Sequence, residues 1–437
     1  MSTSLLLRSH LNRYHHTSNI MTSLTTFPPL SDMTGGITIQ PIPTPLPNTS
    51  AITAPKATKK RLFLTTVRIP DEQIWANGLF QNIYILYRMF EAAGYEPYLM
   101  VDSLDNNKDA KIHTGFRMLD FKSYIGNPFP VVAYLEFGMS CDPAIRKFFK
   151  SIGAKVAKTY LGNILNIDVE TITFYRTTNF SHHVAGELDE IWVSPHYDFH
   201  AEYAGSINGI CGQTRLAPYV WDSHFIQDLA GTYKHTDADA RKFVIMEPNI
   251  SFQKCGLIPI LAMEAYYRRH PTRVDHVVVV NGAKLKDNPY FQQSILPNLT
   301  IFRDGRLQLM PRAHIVNFAR AYNDAIVLQH QVNNEYNYSF FEWNFMGFPV
   351  IHNIRRFKDY GYYYAENDFD AAADRIEEVV KNWPAQREGI QTQFHQLMWR
   401  FSIHNPENIR AWLELIGVVG ASAPAGAASV PAGANKV

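Results

Sequence analysis

The sequence has little of what cross-linked, membrane-spanning or strongly charged proteins require. Its three cysteines, Cys141, Cys211 and Cys255, lie far apart and in no C-x-x-C spacing, which argues against a disulfide framework or a zinc site and favours a reducing compartment. It also has no apolar run of about 18 residues, the length that a transmembrane helix needs. These absences predict a soluble, cytoplasmic protein that has no bound metal.

The chain also has almost no net charge. It carries 41 Lys and Arg against 40 Asp and Glu, a balance of +1, so nothing in its electrostatics indicates nucleic acid or an anionic membrane as a partner. The charge balance does not argue against a small-molecule ligand. With 437 residues, 46% of them hydrophobic, the chain is long enough for two ordinary domains and therefore for a cleft between them.

The two ends differ in composition from the rest. Residues 1–60 are rich in Ser, Thr, Pro and Asn and have no sustained apolar period, which predicts a disordered leader. Residues 417–437 are rich in Ala, Gly, Ser and Pro and predict a disordered tail. The predicted folded part is therefore 61–416.

Within that part, short β-rich runs alternate with helical patterns, and the alternation restarts once. We predict an α/β protein with two doubly wound Rossmann-like domains, at 61–225 and 240–400, followed by a C-terminal helix at 401–416. The predicted strands of the second domain include HVVVVNG at 276–282 and NLTIF at 298–302. Predicted helices near its end cover 370–382, 387–402 and 406–416.

The first candidate site follows the first predicted strand. In doubly wound sheets, ligands bind at the carboxyl ends of the strands. The segment 69–82 places Trp75, Asn77, Gly78 and Gln81 at the start of a helix, a high density of polar recognition groups around one turn. The alternative is that Asn77 caps the helix and Gly78 relaxes the turn.

A second candidate follows a later strand of the same domain, where His196, Asp198 and His200 alternate. The spacing is compatible with metal ligation, but no further ligand lies in register. A polar cluster on the acceptor side or a capped helix start is the favoured interpretation.

The second domain opens with a strand, a loop holding Glu247, Asn249 and Lys254, and a helix near Gly256. A lysine before a helix N-terminus at the carboxyl edge of a sheet is well placed to meet a phosphate group, assisted by the helix dipole. The alternative is a solvated lysine.

The most specific segment is VNNEYNYSFFEWNFMGFPVIHN at 332–353. Glu342, Gly347 and the Pro-Val-Ile run after it resemble the E-A-x-x-x-G-x-P-V-I segment of GT-B glycosyltransferases of the retaining, sucrose-synthase-like group. The W-x-N-G-x-x-Q-N, E-P-N and G-x-P-V-I-H-N segments are similar to those of a bacterial GT-B-like family of unknown function. This resemblance spans about residues 61–365.

The resemblance implies roles for individual residues. Glu342 would hold the ribose of a nucleotide-sugar, and Lys254, with Asn249 nearby, would hold its diphosphate. Retaining members carry another glutamate eight residues before the one that corresponds to Glu342. At that position this chain has Asn334, with Glu335 beside it. Either the loop is shifted by one residue or the acidic role is absent.

The resulting hypothesis is a metal-independent GT-B hexosyltransferase that moves a sugar from a nucleotide-sugar, used as substrate without a separate cofactor, to a hydroxyl acceptor such as a glycan. Asn334 or Glu335 would lie near the sugar, and His196 is the candidate acceptor-side base if the reaction inverts configuration. The alternatives are a catalytically silent module that binds a nucleotide or glycan, and a nucleotide-sugar epimerase, which fold alone does not separate.

Overall fold

The computed structural model describes residues 59–67, 74, 78–104, 115–137, 140–174, 183–226 and 241–417. Trp75 and Asn77 lie outside these ranges, as do residues 1–58 of the predicted leader, 418–437 of the predicted tail and 227–240 at the junction of the two predicted domains. No helix in the described ranges is long and apolar enough to cross a bilayer.

The described residues form two sheets, and every strand pairing in them is parallel. The first has seven strands in the order β3-β2-β1-β4-β5-β6-β7, and the second has six in the order β10-β9-β8-β11-β12-β13. The strands are β1 (Arg61–Thr65), β2 (Glu96–Val101), β3 (Met118–Asp120), β4 (Ala133–Glu136), β5 (Lys155–Tyr160), β6 (Glu190–Val193), β7 (Thr214–Leu216), β8 (Lys242–Met246), β9 (His276–Val280), β10 (Leu307–Leu309), β11 (Ile326–Gln329), β12 (Val350–His352) and β13 (Tyr362–Tyr363).

Helices connect the strands, as parallel pairing requires. They are α1 (Gly78–Ala92), α2 (Phe121–Gly126), α3 (Pro143–Ser151), α4 (Ile164–Phe174), α5 (Ala201–Ile207), α6 (Leu257–Arg269), α7 (Ala283–Lys286), α8 (Thr300–Arg303), α9 (Ile315–Ala321), α10 (Tyr338–Phe345), α11 (Phe369–Phe401) and α12 (Pro406–Leu415). Central strands such as β1 and β9 are buried almost throughout, which explains their continuous apolar runs. The predicted fold class, two doubly wound Rossmann-like domains, is confirmed.

Strand order reverses once in each sheet. In the first sheet β1 pairs with both β2 and β4, and in the second β8 pairs with both β9 and β11. A crevice opens outside the carboxyl ends of the strands at such a point, and ligands of open α/β sheets bind there. The loops after β8 and β11 are therefore the first place to look for a site.

The end of the chain returns to the first sheet. Trp412 of α12 is fully buried, and its ring lies 5.8 Å from that of Trp192 and 6.0 Å from that of Phe90. Its indole Nε1 donates a hydrogen bond of 3.0 Å to the carbonyl oxygen of Pro218. The last helix is thus part of the first hydrophobic core, although it follows the whole second sheet in sequence.

Two local predictions were wrong. The predicted strand at 298–302 is a short 3-10 turn and helix α8, because the Glu264 carboxylate accepts hydrogen bonds from the amides of Thr300 (2.8 Å) and Ile301 (2.9 Å) and caps the turn. The helices predicted at 370–382 and 387–402 form one helix, α11, which continues through Pro384. Burial of side chains before and after this proline, including Trp383 and Phe394, offsets the lost backbone hydrogen bond.

Candidate functional site

The crossover of the second sheet carries a buried polar pair. Glu247 directly follows β8, and Gln331 follows β11. Gln331 Nε2 donates to both carboxylate oxygens of Glu247, at 2.9 Å and 3.0 Å, and both side chains are buried. Burial raises the pKa of Glu247 to about 8, while the Gln331 hydrogen bond and the nearby Lys254 charge oppose the shift.

This pair is connected to the first domain. Asn334 Nδ2 donates to Gln331 Oε1 at 2.8 Å, and the Tyr197 hydroxyl donates to Asn334 Oδ1. Tyr197 follows β6 of the first sheet, and both it and Asn334 are buried. A continuous set of hydrogen bonds therefore runs from the end of β8 to the first domain. Sequence reasoning missed Tyr197 and Gln331, although Gln331 immediately follows a buried strand.

Asn334 and Glu335 have different environments. Glu335 forms a salt bridge with Arg356, Oε2 to Nε at 2.9 Å, and Arg356 also binds Asp198 of the first domain at 3.0 Å. Asn334, eight residues before Glu342, instead belongs to the buried hydrogen-bonded set. Asn334 thus occupies the interior position, and Glu335 is paired with Arg356. Sequence reasoning also missed Arg356.

The loop between β8 and α6 is braced by Asn249, which adopts a left-handed conformation with φ of 53°. Its side-chain oxygen accepts a hydrogen bond from the amide of Gly256 at 2.7 Å, and its nitrogen donates to the carbonyls of Glu247 and Asn281, each at 3.1 Å. The predicted donor-site asparagine therefore shapes the loop and caps the start of α6.

Lys254 lies in the same loop and is partly buried. Burial lowers the pKa of its ammonium group, and the negative charge of Glu247 opposes that shift. Within the described ranges the ammonium forms no salt bridge, and the Glu247 carboxylate accepts its side-chain hydrogen bonds from Gln331. A cation in this position is available to an anionic ligand at the start of α6.

Glu342 lies on α10, which begins at an Asn337 cap whose Oδ1 accepts a hydrogen bond of 3.3 Å from the Ser339 amide. Glu342 is 7% exposed, and burial raises the pKa of its carboxyl group to about 8. Gly347, with φ of 79°, ends this helix in the left-handed conformation that favours glycine.

The start of α1 lies directly against α10. A Cβ added to Gly78 would lie 3.3 Å from Cβ of Tyr338, so glycine permits the approach of the two helices. Gln81 is buried, and its Nε2 donates to the carbonyl oxygen of Ile74 at 3.2 Å. The structure therefore places Gly78 against the helix that carries Glu342, whereas Gln81 is hydrogen-bonded within the first domain.

His196 is buried in an aromatic stack, with its ring 3.8 Å from Tyr197 and 4.2 Å from Tyr336. Burial holds its pKa well below the usual value, and the charges of Arg356, His200 and Lys254 act in the same direction. The alternating His196, Asp198 and His200 do not converge, because Asp198 is paired with Arg356. In the part of the chain that the structure describes, no three His, Cys, Asp or Glu side chains are grouped to hold a metal.

Solved structures share this fold at low sequence identity. A glycosyltransferase from Rickettsia africae ESF-5 is 12% identical, with a TM-score of 0.51, 82% of this chain covered and 98% of that chain. An E. coli trehalose-6-phosphate protein bound with UDP-2-fluoro glucose is 10% identical, with a TM-score of 0.52 and coverage of 82% and 99%. The trehalose-6-phosphate synthase OtsA is also 10% identical, with a TM-score of 0.54 and coverage of 83% and 100%.

No curated protein matches the chain in sequence. The expected likeness to GT-B glycosyltransferases is confirmed at the level of the fold. A family model described as "Protein of unknown function (DUF2827)" matches residues 64–416, which is most of the chain and includes both sheets. The chain therefore belongs to the DUF2827 family.

Proposed function

We propose that this protein transfers a sugar, most simply a hexose, from a nucleotide-sugar to a hydroxyl acceptor without a bound metal. The observation that carries the proposal is the position of Lys254 and Glu342 on the second domain, together with the packing of Gly78 of the first domain against Tyr338, which lies one turn before Glu342 on α10. Glycosyl transfer requires positioning of two substrates and stabilisation of a departing phosphate, which two facing strand-end surfaces can supply.

In this proposal the second domain binds the donor. The Lys254 ammonium and the start of α6 neutralise the diphosphate, and Glu342 accepts hydrogen bonds from ribose hydroxyls. Asn249 shapes the phosphate loop, and Asn334 lies beside the sugar, with Glu335 held at its edge by Arg356. The fold is shared with a protein bound with UDP-2-fluoro glucose, so UDP-sugars are the first donors to test.

The first domain would bind the acceptor through Trp75, Asn77, Gly78 and Gln81. His196 is a less effective base than its residue type suggests, because burial strongly disfavours its protonated form and its Nδ1 has no hydrogen-bond partner among the described residues. This supports a mechanism in which proton removal from the acceptor does not depend on His196.

A second candidate function is a silent nucleotide- or glycan-binding module. Asn334 favours it, because an amide bonded to both Tyr197 and Gln331 replaces the acid that retaining enzymes carry. Binding without turnover distinguishes this module from a transferase, and conversion of a UDP-sugar to its epimer without any acceptor would indicate an epimerase instead.

The test is a thermal-shift screen of the protein with UDP, GDP, ADP, CMP and their common sugars, followed by measurement of nucleotide release with candidate acceptors. A ligand that binds only the folded state raises the melting temperature. We expect a shift with one base that is lost in Lys254→Ala and Glu342→Ala. A screen with no shift for any nucleotide would contradict the proposal.

A further inference from the structure

Glu247 is a buried acid in the proposed donor site that the roles above leave unused. It is 1% exposed, and it accepts hydrogen bonds from Gln331 Nε2 at 2.9 Å and 3.0 Å and from the backbone amide of His330 at 3.4 Å. A buried carboxylate with so few donors is held ionised only weakly, so its charge responds to any new charge placed beside it.

The titratable groups around Glu247 come from three directions. Lys254 and Cys255 lie on the loop before α6, His330 follows β11, and Tyr364 follows β13. Burial raises the pKa of Cys255 and of Tyr364 and lowers that of His330 to about 4, so all three are neutral near neutral pH. Among them, the Lys254 ammonium is the charge that favours an ionised Glu247.

A diphosphate bound at Lys254 changes this balance. Its negative charges would pair with the ammonium and stand close to the Glu247 carboxylate in a poorly solvated place, where repulsion between like charges is strong. Protonation removes the repulsion, and a neutral carboxyl group still accepts the hydrogen bond from Gln331. The support for Asn334, which depends on Gln331, is therefore preserved.

We propose that Glu247 takes up a proton from solvent when a nucleoside diphosphate binds beside Lys254, a role that rests on the donor site proposed above. One proton leaves solvent and bonds to a carboxylate oxygen, and no other bond changes. Glu247 is then a donor-site residue that adjusts the charge of the pocket to its ligand and positions Asn334 through Gln331.

Difference infrared spectroscopy tests this directly, because a protonated carboxyl group has a C=O stretching band separate from those of carboxylates. The probe is whichever of UDP, GDP and ADP raises the melting temperature most. The measurement is made at about pH 9, above the pKa of about 8 that burial gives Glu247, so that this group starts mostly ionised. We expect the band to appear on binding to the wild-type protein.

Variants assign the band. It should be lost in Glu247→Gln, which keeps the shape of the side chain, and shifted in Glu247→Asp, which keeps a titratable carboxyl group. Glu264→Gln is the matched control, because Glu264 is a buried glutamate outside the proposed donor site, where its carboxylate accepts hydrogen bonds from the amides of Thr300 and Ile301, and this variant should retain the band. Binding without a new band, or a band that survives in Glu247→Gln, would overturn this role of Glu247 and leave the donor site intact. No binding by any of the three nucleotides would overturn both proposals.

Discussion

The hydroxyl group of Tyr197 donates a hydrogen bond to Oδ1 of Asn334, joining the strand-end loop after β6 of the first sheet to the loop after β11 of the second. Both side chains are buried, and Asn334 also donates to Gln331. Asn334 stands where the family resemblance implies an acid. Its side-chain oxygen is hydrogen-bonded to the first domain and its side-chain nitrogen to the second. Substitutions at this contact report on how the domains are held together.

Tyr197→Phe should lower the free energy of unfolding by about 1 kcal/mol, because it removes the hydroxyl donor and leaves the buried Asn334 oxygen without this partner. Denaturant titration measures the change. Tyr290→Phe is the control, since Tyr290 is 68% exposed and should tolerate the same loss without effect. Equal stability of the two variants would show that the interdomain hydrogen bond contributes nothing.

Lys254→Ala should weaken nucleotide binding by about tenfold to a hundredfold, the effect of losing one charge-assisted hydrogen bond of about 1.5–3 kcal/mol. Calorimetric titration with the nucleotide found in the thermal-shift screen measures it. Lys242→Ala is the matched control. Lys242 is the first residue of β8, at the end of the strand away from the Lys254 loop, and its ammonium group is paired with Asp324 at 2.8 Å. An equal loss in both variants would indicate a general charge effect rather than a site at Lys254.

Glu342→Gln should make the protein more stable at pH 8 than the wild type, with a smaller difference at pH 5. Burial raises the pKa of Glu342 from 4.5 to about 8, so the folded state keeps a proton that the unfolded state has already lost between these values. The wild-type stability contributed by this group is present below the unfolded pKa and is lost as pH rises toward the folded pKa. We expect a difference of the order of a few kcal/mol, measured by urea unfolding across this range.

Glu264→Gln supplies the control of opposite sign. Burial disfavours its charge, but hydrogen bonds from the amides of Ile301 and Thr300 outweigh burial and lower its pKa. Its contribution is present above the unfolded pKa and is lost as pH falls through the folded pKa, so this variant should be less stable than the wild type at pH 8 and less affected in acid. The same pH trend in both variants would contradict the assignment for Glu342.

Trp412→Ala should cost about 3–5 kcal/mol, because it leaves a large cavity among Trp192, Phe90 and Phe137 and removes the hydrogen bond to Pro218. Thermal and denaturant unfolding measure the loss. Trp399→Ala, on α11 and 49% exposed, should change stability by no more than about 0.5 kcal/mol. A small effect at Trp412 would show that α12 is not required by the first core.

The elements that sequence patterns predicted well are those whose pattern is local. The strand candidate at 276–282 overlaps β9, and its successive valines are buried between layers of helices, as in other parallel sheets. The segment from Glu342 to Ile351 forms a helix, a left-handed glycine turn and a buried strand, as its residue types indicate. The strand predicted at 298–302 failed because a distant carboxylate, Glu264, outweighed a β-rich composition.

The sequence predicted where the candidate site residues lie along the chain, but it did not predict which side chains they contact. Strand-end placement predicted Lys254, Gly78 and His196 as candidates and the family resemblance predicted Glu342, but neither indicated the burial of His196 among aromatic rings or the bracing of a loop by Asn249. Tyr197 lies between His196 and Asp198 but is not one of the alternating polar residues of that segment, and Arg356 lies outside the segments singled out from the sequence. Both were found only through what they contact.

The sequence by itself determined the alternation of strands and helices, the break between two sheets and the ends at which ligands would be held, because apolar periodicity, caps and glycines act over a few neighbouring residues. Tertiary structure alone decided which polar side chains meet. Glu247 and Gln331 are 84 positions apart, and Tyr197 and Asn334 are 137 apart. Such contacts exist only when both sheets are formed and their strand ends face one another, and burial then gives each hydrogen bond and each charge an energy that local sequence does not encode.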